Sequence, residues 1–84
     1  MKIRLHPHAL ERIVERGATE DEVHATVESG ERFPAKFGRV GFRRNFVFNS
    51  LWRGRSYPTK QIEVYAVEET SQEWLVITII TRYF

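Results

Sequence analysis

The sequence predicts an α+β domain in which two short helices precede an antiparallel sheet, with the element order β-α-α-β-β-β-β. Three observations support this prediction. Apolar residues recur at helical spacing before residue 31, and a helix-capping pattern interrupts them. From Glu31 onward apolar residues alternate with polar ones, as in half-buried strands. The 84 residues leave room for one hydrophobic core, so we expect a single domain over residues 1–84.

The N-terminal residues predict a strand followed by a helix. Apolar and polar residues alternate over residues 2–6, which is typical of a short strand. Pro7 suits the first position of a helix, and Gly17 can end that helix in a left-handed conformation. The apolar face of this helix is predicted at three residues with helical spacing: Leu10, Ile13 and Val14.

The second helix is predicted from its N-terminal cap. Thr19 and Glu22 have the spacing of a capping box, in which each side chain bonds the backbone N–H of the other residue. Acidic residues in the first turn also suit the positive end of the helix dipole. The inward face is predicted at Val23, Thr26 and Val27, and Gly30 ends the helix.

The rest of the chain predicts four strands. They are expected near residues 32–37, 40–48, 62–66 and 74–80. Gly54 and Pro58 indicate a loop over residues 50–59, and residues 69–72 indicate a turn. Because residues 74–80 are apolar on both faces, we place that strand inside the sheet and expect Ile77 and Ile79 to be fully buried.

Positive charge is concentrated in one segment. Residues 32–62 contain eight Lys or Arg side chains and no acidic residue, although the net charge of the whole chain is only +2. The eight are Arg32, Lys36, Arg39, Arg43, Arg44, Arg53, Arg55 and Lys60. Acidic residues elsewhere in the fold can compensate this charge, or the segment can form a phosphate-binding face. The complete exclusion of acids favours the second interpretation.

The first helix carries a row of polar residues that could hold a phosphate. His8, Arg12 and Arg16 are spaced four residues apart and therefore lie along one side of the helix. Arginine binds phosphate oxygens with paired N–H groups, and histidine adds a group that titrates near neutral pH. The same spacing is also typical of a solvated helix face, on which Arg12 would pair with Glu15.

The stretch from His8 to Val23 resembles the opening of a family of small prokaryotic domains of unknown function. The resemblance rests on the pattern H-A-x-x-R-x-x-x-R-G followed by a capped helix, and this motif covers the first third of the chain. That family is similar to the RelE/ParE toxin superfamily, which includes BrnT-like toxins. The resemblance implies a RelE-like fold over nearly the whole chain. It further implies a toxin of a toxin–antitoxin pair that cleaves mRNA without a metal ion.

The resemblance also implies partners and site residues. The partners would be RNA, free or on the ribosome, and a cognate antitoxin protein. The catalytic residues would be His8, Arg12, Arg16, Arg82 and Tyr83, and the RNA-binding residues would be Arg39, Arg43, Arg53, Arg55 and Lys60. In such a reaction the RNA 2′-hydroxyl attacks the adjacent phosphorus while cations stabilise the developing charge. Alternatively, the protein is a non-catalytic module that binds nucleic acid or protein.

The segment from Trp52 to Tyr57 supports either RNA-binding interpretation. It combines aromatic rings with Arg53 and Arg55, a combination that can stack on bases and bind phosphates. The alternative is a flexible hairpin tip whose basic residues serve solubility.

Composition excludes several classes of site. Without cysteine the chain has no disulfide, no cysteine-based zinc site and no thiol nucleophile. The three histidines, His6, His8 and His24, lack a carboxylate pattern that would predict a metal site, so we expect no metal and no cofactor. The N-terminus lacks the apolar core of a signal peptide, and no apolar run is long enough to span a membrane. We therefore expect a cytoplasmic protein with no membrane partner.

Overall fold

The structure is a computed structural model that describes residues 1–84. Along the chain the elements are β1 (Lys2–Leu5), α1 (Pro7–Glu15), α2 (Glu20–Ser29), β2 (Glu31–Pro34), β3 (Val40–Trp52), β4 (Arg55–Thr70) and β5 (Glu73–Tyr83). Two long neighbouring strands, β3 and β4, carry most of the sheet, and both helices pack on one of its faces. No helix has the length and apolar character needed to cross a membrane.

The predicted fold is wrong in its sheet. The protein is α+β with two helices, but the purely antiparallel, RelE-like arrangement expected from β-α-α-β-β-β-β is replaced by a mixed five-stranded sheet. The strand order is β1-β5-β4-β3-β2, and β1 lies parallel to β5 whereas the other pairs are antiparallel. After β1 the chain forms both helices, which lie on one face of the sheet. The last strand, β5, then occupies the position between β1 and β4. Local alternation predicts that a strand exists but does not specify its neighbour or direction.

The loop predicted over residues 50–59 is also wrong, because most of this segment is strand. β3 and β4 form one long hairpin closed by Arg53 and Gly54, which both have positive φ, as the tightest hairpin turns require. Pro58 lies within β4, opposite a bulge at Phe48 and Asn49, where the register between the strands shifts by one residue. A bulge is a position where a strand tolerates proline, since the ladder is already interrupted there.

The helix caps form as predicted. Thr19 Oγ1 accepts from the backbone N–H of Glu22, and the Glu22 carboxylate accepts from the N–H of Thr19, which completes the capping box. Gly17, just after α1, has φ of +70° and is left-handed as expected.

The buried face of α1 differs from the predicted one. Ala9 and Ile13 are buried, whereas Leu10 is 42% and Val14 81% exposed. The rotation of the helix is fixed at its first end by β1, because the N–H of His6 donates to the carbonyl of Val76. Helical periodicity predicts the spacing of a face but not which of two adjacent faces meets the sheet.

The core lies between the helices and one face of the sheet. Its members come from both helices and from strands β3, β4 and β5: Ala9, Ile13, Val23, Val27, Phe42, Ile62, Val64, Ala66, Trp74, Val76 and Ile79. Neither helix covers the other face, which we call the open face. A bulge in β5 decides which side chains reach the core. Tyr65 pairs with Thr78 and Ala66 with Val76, so Ile77 is the extra residue.

The bulge corrects the prediction for Ile77. Ile79 is fully buried as expected, but Ile77 is only half-buried, because the extra residue breaks the two-residue period between Val76 and Ile79.

The two isoleucines make a matched pair of substitutions. We expect Ile79→Ala to lower the free energy of unfolding by about 2–5 kcal/mol, since it leaves a cavity in a closely packed core. Ile77→Ala should have a clearly smaller effect, because neighbouring groups and water can fill the space. Urea unfolding of both variants measures the difference. Equal losses would contradict the placement of the bulge.

Candidate functional site

The end of the long hairpin meets the C-terminal end of α1 and forms an open cleft. The cleft encloses about 370 Å³. Side chains from α1, the hairpin and β5 line it: Glu15, Arg16, Trp52, Arg53, Thr81 and Tyr83. We call this site the tip cleft. It joins residues from three distant parts of the sequence, and it therefore exists only in the folded chain.

One wall of the tip cleft is a cluster of aromatic rings. The Trp52 and Tyr83 rings are stacked, with centroids 4.9 Å apart and planes 16° from parallel. Phe48 and Tyr57 pack on Tyr83 from the sides, at 5.2 and 5.8 Å between centroids. Burial raises the pKa of the Tyr83 phenol, and the nearby Glu22 carboxylate also raises it. The phenol therefore keeps its proton at neutral pH.

Hydrogen bonds fasten this wall to the end of α1. The backbone carbonyl of Arg16 accepts from the hydroxyls of Tyr83, at 2.8 Å, and Thr81, at 3.0 Å. In the other direction, Arg16 Nη1 donates to the carbonyl of Ile79 at 3.0 Å. These bonds satisfy backbone groups that a helix end leaves free. They also fix the position of the Arg16 guanidinium at the cleft.

Gly17 allows the close approach of helix end and hairpin. A Cβ atom on Gly17 would lie 2.4 Å from a ring carbon of Trp52 and 2.7 Å from the Tyr83 hydroxyl. Both distances are too short for any side chain. The missing side chain of Gly17 therefore serves two purposes, because it permits the positive φ that ends α1 and clears the space in which the aromatic wall packs.

The predicted catalytic residues are only partly brought together. Arg16 and Tyr83 line the tip cleft. Arg12 lies one turn earlier on α1 and pairs with Glu15, at 2.7 Å. His8 is two turns from Arg16, about 12 Å along the helix axis, and does not line the cleft. Arg82 bonds Glu63 on the open face, away from the cleft.

The predicted RNA-binding residues fall into separate groups. Arg53 lies over the Trp52 ring, 5.1 Å from its centroid, and Arg55 is the cross-strand neighbour of Trp52. Arg39 lies before the other end of β3, whose thirteen residues span roughly 40 Å at the rise of a strand. A single short ligand therefore cannot contact Arg39 and Arg53 together.

Two of the predicted RNA-binding cations are engaged inside the protein. Lys60 is 6% exposed, and its ammonium donates to the carbonyl of Gly17 at 2.9 Å and to Glu22 at 3.0 Å. Arg43 donates to Glu63 at 2.8 Å and lies over the Phe33 ring. Among the eight cations of residues 32–62, these two form ion pairs with carboxylates, and the other six form none.

The open face has its own charge cluster around Glu63. This carboxylate is nearly buried on the middle strand and accepts from Arg43, Arg82 and the Tyr65 hydroxyl. Burial alone would raise the pKa of Glu63, but the hydrogen bonds from Arg82 and Arg43 outweigh it and lower the pKa. Both oxygens of this carboxylate therefore accept hydrogen bonds from the protein, and we assign the cluster to the fold.

Sequence reasoning missed Glu15, Gly17 and Thr81 as residues of the site. Glu15 appeared only as an ion-pair partner of Arg12, and it is the one carboxylate that lines the tip cleft. Its spacing from Arg12 was a signal, whereas the sequence marks Gly17 only as the end of a helix and does not mark Thr81. No group of three acidic, histidine or cysteine side chains is placed to hold a metal ion.

The role of Gly17 can be separated from its backbone conformation. Gly38 has the same φ of +70°, but a Cβ atom there meets nothing within 4 Å. We expect Gly38→Ala to lower the free energy of unfolding by about 1–2 kcal/mol, the cost of a left-handed alanine. Gly17→Ala should cost clearly more and should shift the fluorescence of Trp52 to longer wavelength as the ring becomes exposed. Identical losses in both variants would show that the contact with Trp52 contributes nothing.

Comparisons of the chain with protein-family models, curated proteins and solved structures find no match. A functional assignment therefore rests on the geometry of the tip cleft.

Proposed function

We propose that the protein binds single-stranded RNA in the tip cleft. The observation that carries this proposal is the Trp52–Tyr83 stack with the guanidinium of Arg53 over the Trp52 ring. Aromatic faces bind bases by stacking, and neighbouring arginines bind the phosphates between them. A base that stacks on Trp52 in place of Arg53 would break the contact of this guanidinium with the ring and its 3.4 Å bond to the carbonyl of Glu15, and the guanidinium could then contact a phosphate.

The charges around the tip cleft support an anionic ligand. Arg53 and Arg55 form no ion pair, and they flank Trp52 on the turn and on the facing strand. Arg16 donates one N–H to the Ile79 carbonyl, and its other N–H groups can reach a ligand. The single carboxylate in the cleft, Glu15, is offset by Arg12. The absence of cysteine supports a cytoplasmic location, where RNA is available.

A second candidate function is cleavage of the bound RNA, as in a toxin of a toxin–antitoxin pair. It is favoured by one observation: Arg16 and Tyr83, which the RelE/ParE and BrnT-like resemblance implied from opposite ends of the sequence, meet in the same cleft. In this role Glu15 accepts the proton of the 2′-hydroxyl as it attacks phosphorus, and the arginines stabilise the charge on the pentavalent intermediate. The P–O5′ bond then breaks to leave a 2′,3′-cyclic phosphate, and the departing 5′-oxygen takes a proton from water. A cognate antitoxin would keep such an activity in check.

The binding proposal predicts the effect of reversing two charges. Arg53→Glu together with Arg55→Glu should weaken binding of a short single-stranded RNA and flatten its salt dependence. Each lost phosphate contact makes the negative slope of log affinity against log salt less steep by roughly 0.7. The matched control is Lys36→Glu with Arg39→Glu, which makes the same charge change at the other end of β3. Fluorescence anisotropy across a salt series measures both. Equal weakening by the two pairs, or binding that is independent of salt, would contradict the site.

The cleavage proposal predicts a product and a base. An RNA oligonucleotide should yield a 2′,3′-cyclic phosphate end, and a 2′-O-methyl copy should bind without being cut. Glu15→Gln should slow cleavage roughly 10²-fold, as expected when a general base is lost. Glu11→Gln, one turn earlier on the same helix and without an ion pair, should leave the rate unchanged. Binding of RNA without formation of a cyclic phosphate would contradict the cleavage proposal and show that the protein binds RNA without cutting it.

A further inference from the structure

The outer edge of β3 lacks a partner strand along most of its length. β4 pairs with β3 from Val40 to Trp52. β2 is much shorter, because it begins at Glu31 directly after α2, and it pairs only with Val40–Arg43. From Arg44 to Trp52 the outward N–H and C=O groups therefore have no strand partner in the sheet. Alternate residues of an edge strand present such groups, which can form a ladder with another chain.

This edge has few of the features that usually prevent association. Residues 45–52 contain no charged residue and no proline, although charged side chains and proline are common on natural edge strands. Val47 is 86% and Leu51 68% exposed. The bulge at Phe48 and Asn49 is the one protective feature, and it interrupts the ladder locally, near the middle of the edge. On the free edge of β5, by contrast, the carbonyl of Ile79 already accepts a hydrogen bond from the Arg16 side chain.

The charges at the two ends of the edge select the partner. Arg44 lies at one end and Arg53 and Arg55 at the other, and none of them forms an ion pair. A second copy of this chain, paired antiparallel about Phe48, would bring each Arg44 beside the arginines at the hairpin tip of the other copy. That arrangement places like charges together in an interface, which is unfavourable. A strand with acidic ends and an apolar centre complements the same edge.

We propose that the edge of β3 from Arg44 to Trp52 binds an extended peptide segment of a partner protein, with acidic residues at both ends and β-branched residues between them. The segment adds a strand beyond β3, in line with β2. Its backbone bonds the free N–H and C=O groups, its centre covers Val47, and its acidic ends contact Arg44 and the hairpin tip. Strand addition of this kind takes affinity from the backbone ladder and specificity from the side chains. The inference does not rest on RNA binding or cleavage.

The test uses a labelled peptide, Glu-Glu-Val-Thr-Val-Thr-Val-Glu-Glu, with the full-length protein. We expect saturable binding by fluorescence anisotropy and slower amide hydrogen exchange in residues 44–48. A peptide with lysine in place of every glutamate should bind at least about tenfold more weakly, because its positively charged ends lie against arginine side chains. A peptide with proline in place of both threonines should not bind, since it cannot form the ladder.

Substitutions in the protein locate the site. Val47→Glu places on the edge a charge of the same sign as the ends of the peptide and should weaken peptide binding about tenfold. Thr59→Glu, at the cross-strand neighbour of Val47 one strand further in, should have little effect. Both variants should keep wild-type RNA binding, so that failure of this inference is distinguishable from failure of the RNA proposal.

Three outcomes would overturn the proposal: equal binding of the lysine-ended peptide, slower exchange at β1 instead of β3, or no binding at low salt. Sedimentation of the protein alone provides a fourth. A dimer that Val47→Glu dissociates would show that the edge belongs to a second copy of this chain.

Discussion

One buried ammonium group joins the parts of the molecule that form its candidate site. Lys60 of β4 donates to the carbonyl of Gly17, at the turn between the helices, and to Glu22, which also caps α2. The aromatic wall then packs directly against Gly17. A buried charge is tolerated only when it is paired and hydrogen-bonded, so the turn between the helices and the long hairpin have one mutual position that satisfies Lys60. The shape of the tip cleft follows from that position.

The sheet is covered on one face only, and this separates the charged residues into groups with different roles. On the helix face, Lys60 is compensated by Glu22, while Arg16 reaches the cleft beside the hairpin tip. On the open face, Arg43 and Arg82 compensate Glu63, which would otherwise be a nearly buried and uncompensated charge. A cluster of cations in the sequence is thus divided between charges that the fold neutralises and charges that remain available to a partner.

Two bulges decide which side chains reach each face. In β3 the bulge at Phe48 and Asn49 lies opposite Pro58 and allows the hairpin to continue to its two-residue turn. The hairpin therefore extends far enough for Trp52 to meet Tyr83. In β5 the extra residue at Ile77 shifts the alternation by one residue. As a result Ile79 points into the core and Tyr83 lies on the same side of the sheet as the helices. Without the shift in β5, strict alternation from Val76 would carry Tyr83 to the other face of the sheet.

The sequence by itself determined the local features: the capping box at Thr19, the left-handed Gly17, the existence of the β-branched strand over residues 74–80 and the excess of cations in residues 32–62. Each depends on neighbours along the chain, so residue type and spacing are sufficient to predict it. Only the tertiary structure decided the parallel pairing of β1 with β5, the rotation of α1, the burial of Lys60 and the meeting of Arg16 with Tyr83. These depend on contacts between residues far apart in sequence, and the energies that select them come from packing and from buried hydrogen bonds. The periodicity of the sequence does not specify this packing or these buried hydrogen bonds.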